Sequence, residues 1–77
     1  MVYIVSRQDN VLNMQITLVK IMSKEWNISY SDLSDILNKY HVLKFIDIAY
    51  ERFNSTGELG ILDEIKSFIE EQGGKIG

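Results

Sequence analysis

Cysteine and proline are both absent from this 77-residue chain. Without cysteine, neither a disulfide nor a thiolate site can staple the fold. Without proline, nothing in the sequence breaks a long helix outright. Histidine occurs once, at position 41. A catalytic dyad or triad needs a base beside a nucleophile, with a third group to orient the base. One imidazole and no thiol also fall short of the spaced Cys and His ligands of a zinc site. His41 is therefore read as structural. No run approaches the roughly 18 consecutive apolar residues that a membrane span requires. The opening Met-Val-Tyr-Ile-Val is too short for a signal-peptide core and has no basic residue before it. A cytoplasmic protein outside the membrane is expected.

Clustered positive charge is also missing. Eight Lys and Arg are scattered singly against eleven Asp and Glu, for a net charge of −3. Binding to a phosphate backbone needs cations gathered on one face, so nucleic acid is not the expected partner. What the chain does have is a 45% hydrophobic share, ordinary for a globular protein. A chain this short buries only about 60% of its unfolded surface, so its stability must come from helix packing, with self-association as a further source.

The apolar residues recur mostly at helical spacing, which predicts an all-α, compact bundle of three to four short helices spanning residues 9–77. Residues 1–8 alternate weakly and are β-branched, as in a short strand, a docked arm or a disordered end. Asp9 and Asn10 are good N-cap residues for a first helix that runs to about Trp26. Leu12, Ile16, Val19 and Met22 form its primary stripe, and Val11, Met14, Leu18 and Ile21 widen it. Coverage that broad predicts a central helix contacted from more than one side. Asn27 is the expected end, because Asn tolerates a left-handed backbone.

The second helix starts at Ser29 or Tyr30. Ser29 and Asp32 have capping-box spacing, and Ile28 and Leu33 occupy the staple positions. Leu33, Ile36, Leu37 and Tyr40 form its apolar face. A third helix is expected from Val42 to Phe53, burying Phe45, Ile46, Ala49, Tyr50 and Phe53. His41 is the one residue available for a sharp corner between these helices, at positive φ. The alternative is one continuous helix from Ser29 to Phe53. Asn54, Ser55, Thr56 and Gly57 form a turn. Gly60 adds a flexible point, so residues 58–61 are read as extended. A last helix covers about Leu62 to Gln72, with Ile61 or Leu62, Ile65, Phe68 and Ile69 inside. Gly73 and Gly74 end it.

The remaining candidate chemistry is thin. Asp47 and Glu51 lie four apart on one helix face, and the simplest reading is a solvated face with Lys44 paired to Asp47. Gly57 and Gly60 lack the Gly-Lys-Ser/Thr of a P-loop, so they are read as turn residues. A helix-turn-helix DNA reader around His41 would need polar and basic groups on residues 43–52, which are mostly apolar or acidic. The aromatic residues fit core packing, though exposed aromatics in so small a domain mark partner surfaces.

Four segments carry a family resemblance: KEWNIS (24–29), NKYHVLKFI (38–46), AYERFNSTGE (49–58) and GILDEIKSFIEEQG (60–73). Through their order and spacing the chain resembles the small bacterial proteins of domain-of-unknown-function family 3791. His41 stands where the family usually has Gly, and Asn54 where a His commonly precedes the Thr-Gly turn. Members are often encoded beside proteins resembling ADP-ribosyltransferase toxins. The resemblance therefore implies an accessory or antitoxin-like protein.

Taken together, the expected function is a non-enzymatic protein-interaction module without cofactor or metal. Its partner is expected to be the product of an adjacent gene. The expected partner surface is Tyr50, Phe53, Asn54, Glu58 and Asp63, on the third helix and the following turn. A structural homo-oligomer paired through the first-helix stripe is the alternative, and a small DNA-binding regulator ranks behind both.

Overall fold

The computed structural model describes residues 6–76. The described chain is helical throughout, in the order α1 (Arg7–Glu25), α2 (Tyr30–Lys39), α3 (Val42–Ile48), α4 (Tyr50–Phe53) and α5 (Glu58–Glu71). The all-α expectation holds. No helix among the described residues is long and apolar enough to cross a membrane. The expected arm falls mainly on residues 1–5, which lie outside the described residues.

The first helix starts three to four residues earlier than an N-cap at Asp9 or Asn10 would place it. Ser6 is its N-cap: the backbone is extended there, and Oγ accepts from the Asp9 amide at 3.2 Å. Asp9 instead occupies the first turn, where the helix dipole favours its charge. Its ends and faces also differ in how well they follow the pattern. At the C-terminus Asn27 is left-handed (φ 53°), and the Ile28 amide reaches back to the Ser23 carbonyl at 3.1 Å. That closes the helix as a Schellman turn. The buried face of α1 is Val11, Leu18 and Met22, with Met14 and Ile21 packed alongside. Leu12 and Ile16, expected on the primary stripe, are exposed. The helix is contacted by α2, α3 and α5, as expected of a central helix, and Val19 also packs against the core, but the strip through Leu12 and Ile16 is left uncovered.

Ser29 caps α2 as its sequence signature requires, accepting from the Asp32 amide at 3.2 Å. Leu33 and Leu37 are buried, and Ile36 and Tyr40 pack against the core. The corner that follows is at His41, with φ 56° and ψ 41°. This left-handed residue excludes a continuous helix from Ser29 to Phe53. It turns the chain so that Val42, Ile46, Ala49 and Phe53 all enter the core. α3 consequently packs against α1, α2 and α5.

The expected third helix is divided at Ala49, whose φ of −90° and ψ of 7° leave the helical region. The Ala49 amide still bonds the Phe45 carbonyl, and the Phe53 amide bonds the Ala49 carbonyl, both at 2.9 Å. The chain therefore continues in nearly the same direction. Beside the break, the Asp47 carbonyl accepts from Arg7 Nη2 at 2.8 Å, a donor from outside the helix. Phe53 meets Phe45 edge-on at 5.7 Å between ring centroids, and Phe45 stacks on Phe68 of α5 at 4.2 Å.

Residues 58–61 are helical, not extended. Gly57 is the N-cap of α5, and Gly60 lies in its first turns. A Cβ on Gly60 would stand 3.0 Å from Thr56 Cγ2, so the glycine serves close packing of the turn. Ile61, Leu62, Ile65 and Ile69 are all buried. At the far end Gly73 is left-handed (φ 92°), and Gly73 and Gly74 donate to the Glu70 and Ile69 carbonyls. A Cβ on Gly74 would fall 2.6 Å from Ile69 Cγ2 and 2.7 Å from Tyr40 Cζ. The terminus of α5 is thereby locked against α2.

Two stability measurements follow. Left-handed backbone costs a side chain with a Cβ about 1–2 kcal/mol, a cost that Gly avoids. His41→Gly should stabilise the domain by about 1 kcal/mol, a rise of roughly 4–8 °C in Tm, while His41→Val lowers Tm. Gly74→Ala should cost about 1–3 kcal/mol by overpacking against Tyr40 and Ile69. Thermal denaturation followed by circular dichroism reads all three.

Candidate docking surface

An apolar-lined groove of about 430 Å³ runs along the flank of α1, where it meets the starts of α2 and α3. Leu12, Ile16 and Val19 come from α1, Tyr30 from the start of α2, and Leu43 from the start of α3. Each position has a local cause. On an ideal helix Ile16 lies about 160° from Leu18, so burying Leu18 turns Ile16 outward. Tyr30 is the first residue after the Ser29 cap, and Leu43 follows the His41 corner by two residues. Gln15 Nε2 donates to the Leu43 carbonyl at 2.8 Å, which pins α3 to α1 along the groove. The exposures are 53% for Leu12, 46% for Ile16, 60% for Tyr30 and 37% for Leu43. Polar groups are confined to Gln15, Lys20 and the Tyr30 hydroxyl. The lining is apolar and holds no nucleophile with a base beside it.

A polar cluster stands beyond one end of α1. Arg7 Nε donates to Glu51 Oε2 at 2.7 Å and Nη1 to Asp47 Oδ1 at 2.8 Å. The guanidinium also lies 5.4 Å from the Tyr50 ring centre. Asp47 and Glu51 are therefore held by Arg7, not by the expected Lys44 neighbour, and they join the start of α1 to α3 and α4. The Glu51 and then the Asp47 hydrogen bonds raise the Arg7 guanidinium above its ordinary range. The Arg7 hydrogen bond holds the Glu51 carboxyl below the usual glutamate range. A second exposed pair, Arg52 to Glu64 at 3.0 Å, ties α4 to α5.

Of the five residues expected at a partner surface, Phe53, Asn54 and Glu58 border one depression, and Tyr50 and Asp63 lie elsewhere. Phe53 is 1% exposed and spends its surface in the core. Asn54 and Glu58 are exposed and border a shallow depression of about 320 Å³ that Phe53 helps to floor. Asp63 borders a different depression, with Phe45 and Phe68. Tyr50 is half-buried beneath Arg7. Sequence pattern put Leu12 and Ile16 on the primary stripe of α1, with an interface between copies as the alternative, left Tyr30 among the aromatics read first as core, and gave no signal for Leu43. The available signal was the width of the α1 stripe, which exceeds what one helix contact covers.

Fold and surface define a small helical domain with a packed interior and an uncovered apolar groove beside it, between α1 and the starts of α2 and α3. The chain belongs to the family described as Protein of unknown function (DUF3791), whose model matches residues 13–72. That span includes Ile16, Val19, Tyr30 and Leu43 of the groove, whereas Arg7 and Leu12 precede it. No curated protein and no solved structure matches the chain.

The Arg7–Glu51 pair has a pH signature. Because folding lowers the Glu51 carboxyl, its stabilisation is present above the unfolded value of about 4.3 and lost as pH falls through the lower folded value. The Tm of wild type should exceed that of Glu51→Gln at neutral pH, with the gap closing progressively below that range. Because the pair is exposed, added salt should shrink the same gap. Parallel thermal melts of the two proteins against pH and salt measure both effects.

Proposed function

We propose that this chain is a non-enzymatic interaction module that docks another protein on the groove formed by α1, α2 and α3. The observation that carries the reading is the exposure of Leu12, Ile16, Tyr30 and Leu43 around one continuous apolar concavity. Contiguous apolar surface of this kind marks interaction sites, whereas singly scattered apolar residues do not. A groove beside a helix suits an amphipathic helix presenting residues at i, i+3 or i+4 spacing. A Tyr at the rim supplies an aromatic anchor with a polar tip.

The groove replaces the turn around Asn54 as the proposed contact, since Phe53 is committed to the core. Asn54 and Glu58 remain exposed and are kept as an independent comparison surface. For the partner, the resemblance favours the product of an adjacent gene, an enzyme similar to ADP-ribosyltransferase toxins, with this chain as its accessory or antitoxin-like companion. Net charge of −3 favours a partner with a cationic face, through electrostatic complementarity.

Co-expression with the adjacent gene product tests this directly. Wild type should co-purify with that protein and alter its activity. Leu12→Glu and Ile16→Glu should abolish capture, because each places an unpaired charge in the groove. Asn54→Ala and Glu58→Ala should leave capture intact. Absence of co-purification, or loss with the Asn54 and Glu58 variants alone, overturns the assignment.

A further inference from the structure

The outer face of α1 is complementary to itself. At 100° per residue, Asp9, Leu12 and Lys20 all project within about 40° of Ile16. Leu12 and Ile16 form an exposed ridge, and the groove runs beside it between α1 and the starts of α2 and α3. Charge is divided about the same centre. Asp9 lies about 10 Å from Ile16 toward the N-terminus, and Lys20 and Lys24 lie about 6 and 12 Å toward the C-terminus. Asp9, Lys20 and Lys24 are all exposed. Among the described residues the ion pairs are Arg7–Asp47, Arg7–Glu51 and Arg52–Glu64, none of which uses these three.

Resting on the docking surface proposed above, we infer that while the other protein is absent its occupant is a second copy of this chain, with the two α1 helices antiparallel about a two-fold axis at Ile16. A two-fold interface must present the same patch from both subunits, and the division of charge on this face meets that condition for an antiparallel pair. The Leu12–Ile16 ridges of the two copies lie along each other across the axis, Ile16 against Ile16, with the two grooves joined beside them. Asp9 of each comes opposite the partner's C-terminal half of α1, near its two lysines. A parallel pairing would instead set Asp9 over Asp9 and Lys20 over Lys20, which like-charge repulsion disfavours. The small core of this short chain gains apolar burial from the pairing.

Sedimentation equilibrium across the micromolar to millimolar range tests the inference. Wild type should dimerise. Ile16→Glu should weaken dimerisation by about 100-fold or more, since two unpaired charges would be buried at the axis. Circular dichroism checks that this variant is folded, and Leu12→Asp serves as a second disrupting variant. Asp9→Lys should weaken the dimer roughly tenfold, as should the double variant Lys20→Glu with Lys24→Glu. The triple variant carrying all three reversals should recover most of the wild-type affinity. Only an antiparallel pairing gives that rescue, because reversal in a parallel pair merely exchanges one like-charge contact for another.

A monomeric wild type at every concentration overturns the inference, as does a dimer indifferent to Ile16→Glu and Leu12→Asp or a triple variant without rescue. The docking surface is judged separately: a monomer that still loses the adjacent gene product on Ile16→Glu keeps the surface and rejects the second copy. A dimer lost on Ile16→Glu, with no capture of that product, keeps the second copy and rejects the heterologous partner.

Discussion

Everything in this domain depends on burying α3. Seven residues long, it is too short to be stable by itself, yet Val42 and Ile46 are fully enclosed. It packs against α1, α2 and α5, so the larger helices are held around it more than against one another. Its apolar residues take the place of the disulfide or metal that many chains of this size need. Phe53, one short helix further on, extends the same seam, and the Phe45–Phe68 stack carries it to α5.

Reaching that arrangement requires sharp chain reversals, and the backbone makes them at left-handed residues. Asn27, His41 and Gly73 follow α1, α2 and α5 respectively. Gly takes this conformation without cost and Asn at little cost, but His pays for its Cβ. The protein tolerates that cost at the corner that sets the direction of α3. Polar interactions are peripheral by comparison. The Arg7 cluster and the Arg52–Glu64 pair lie on the surface, where ion pairs contribute little each but fix how neighbouring helices meet.

The same geometry creates the candidate site. Once α3 is seated, Leu18 and Met22 of α1 are turned inward and Leu12 and Ile16 necessarily turn outward. Tyr30 and Leu43 reach the groove for a different reason: each stands just after a chain reversal, where a helix begins at the edge of the bundle. The groove is thus a consequence of how three helix segments meet, assembled from residues up to 31 positions apart in sequence. Proteins that keep such a face uncovered commonly use it for association.

The sequence was legible mainly where the cause was local. Ser29 with Asp32, the Asn27 end, the His41 corner, and the buried faces of α2 and α5 all follow from capping chemistry, backbone preference or helical period, which neighbouring residues settle among themselves. One local signal was missed, the Ser6 cap three residues before Asp9. Elsewhere the cause was remote: Arg7 of α1 took the carboxylates assigned to a local lysine pair. The break at Ala49 and the helical start of α5 likewise escaped a pattern that contains no proline. Periodicity could say that α1 carries apolar residues around Leu18 and Met22 and around Leu12 and Ile16, but not which would be covered. Both satisfy the same spacing, and only the landing position of α2, α3 and α5 decides between them. Composition and local pattern therefore determined a helical domain, its corners and most of its interior; tertiary packing alone decided which strip of α1 stays open to solvent, because burial is a property of neighbours that the chain brings in from afar.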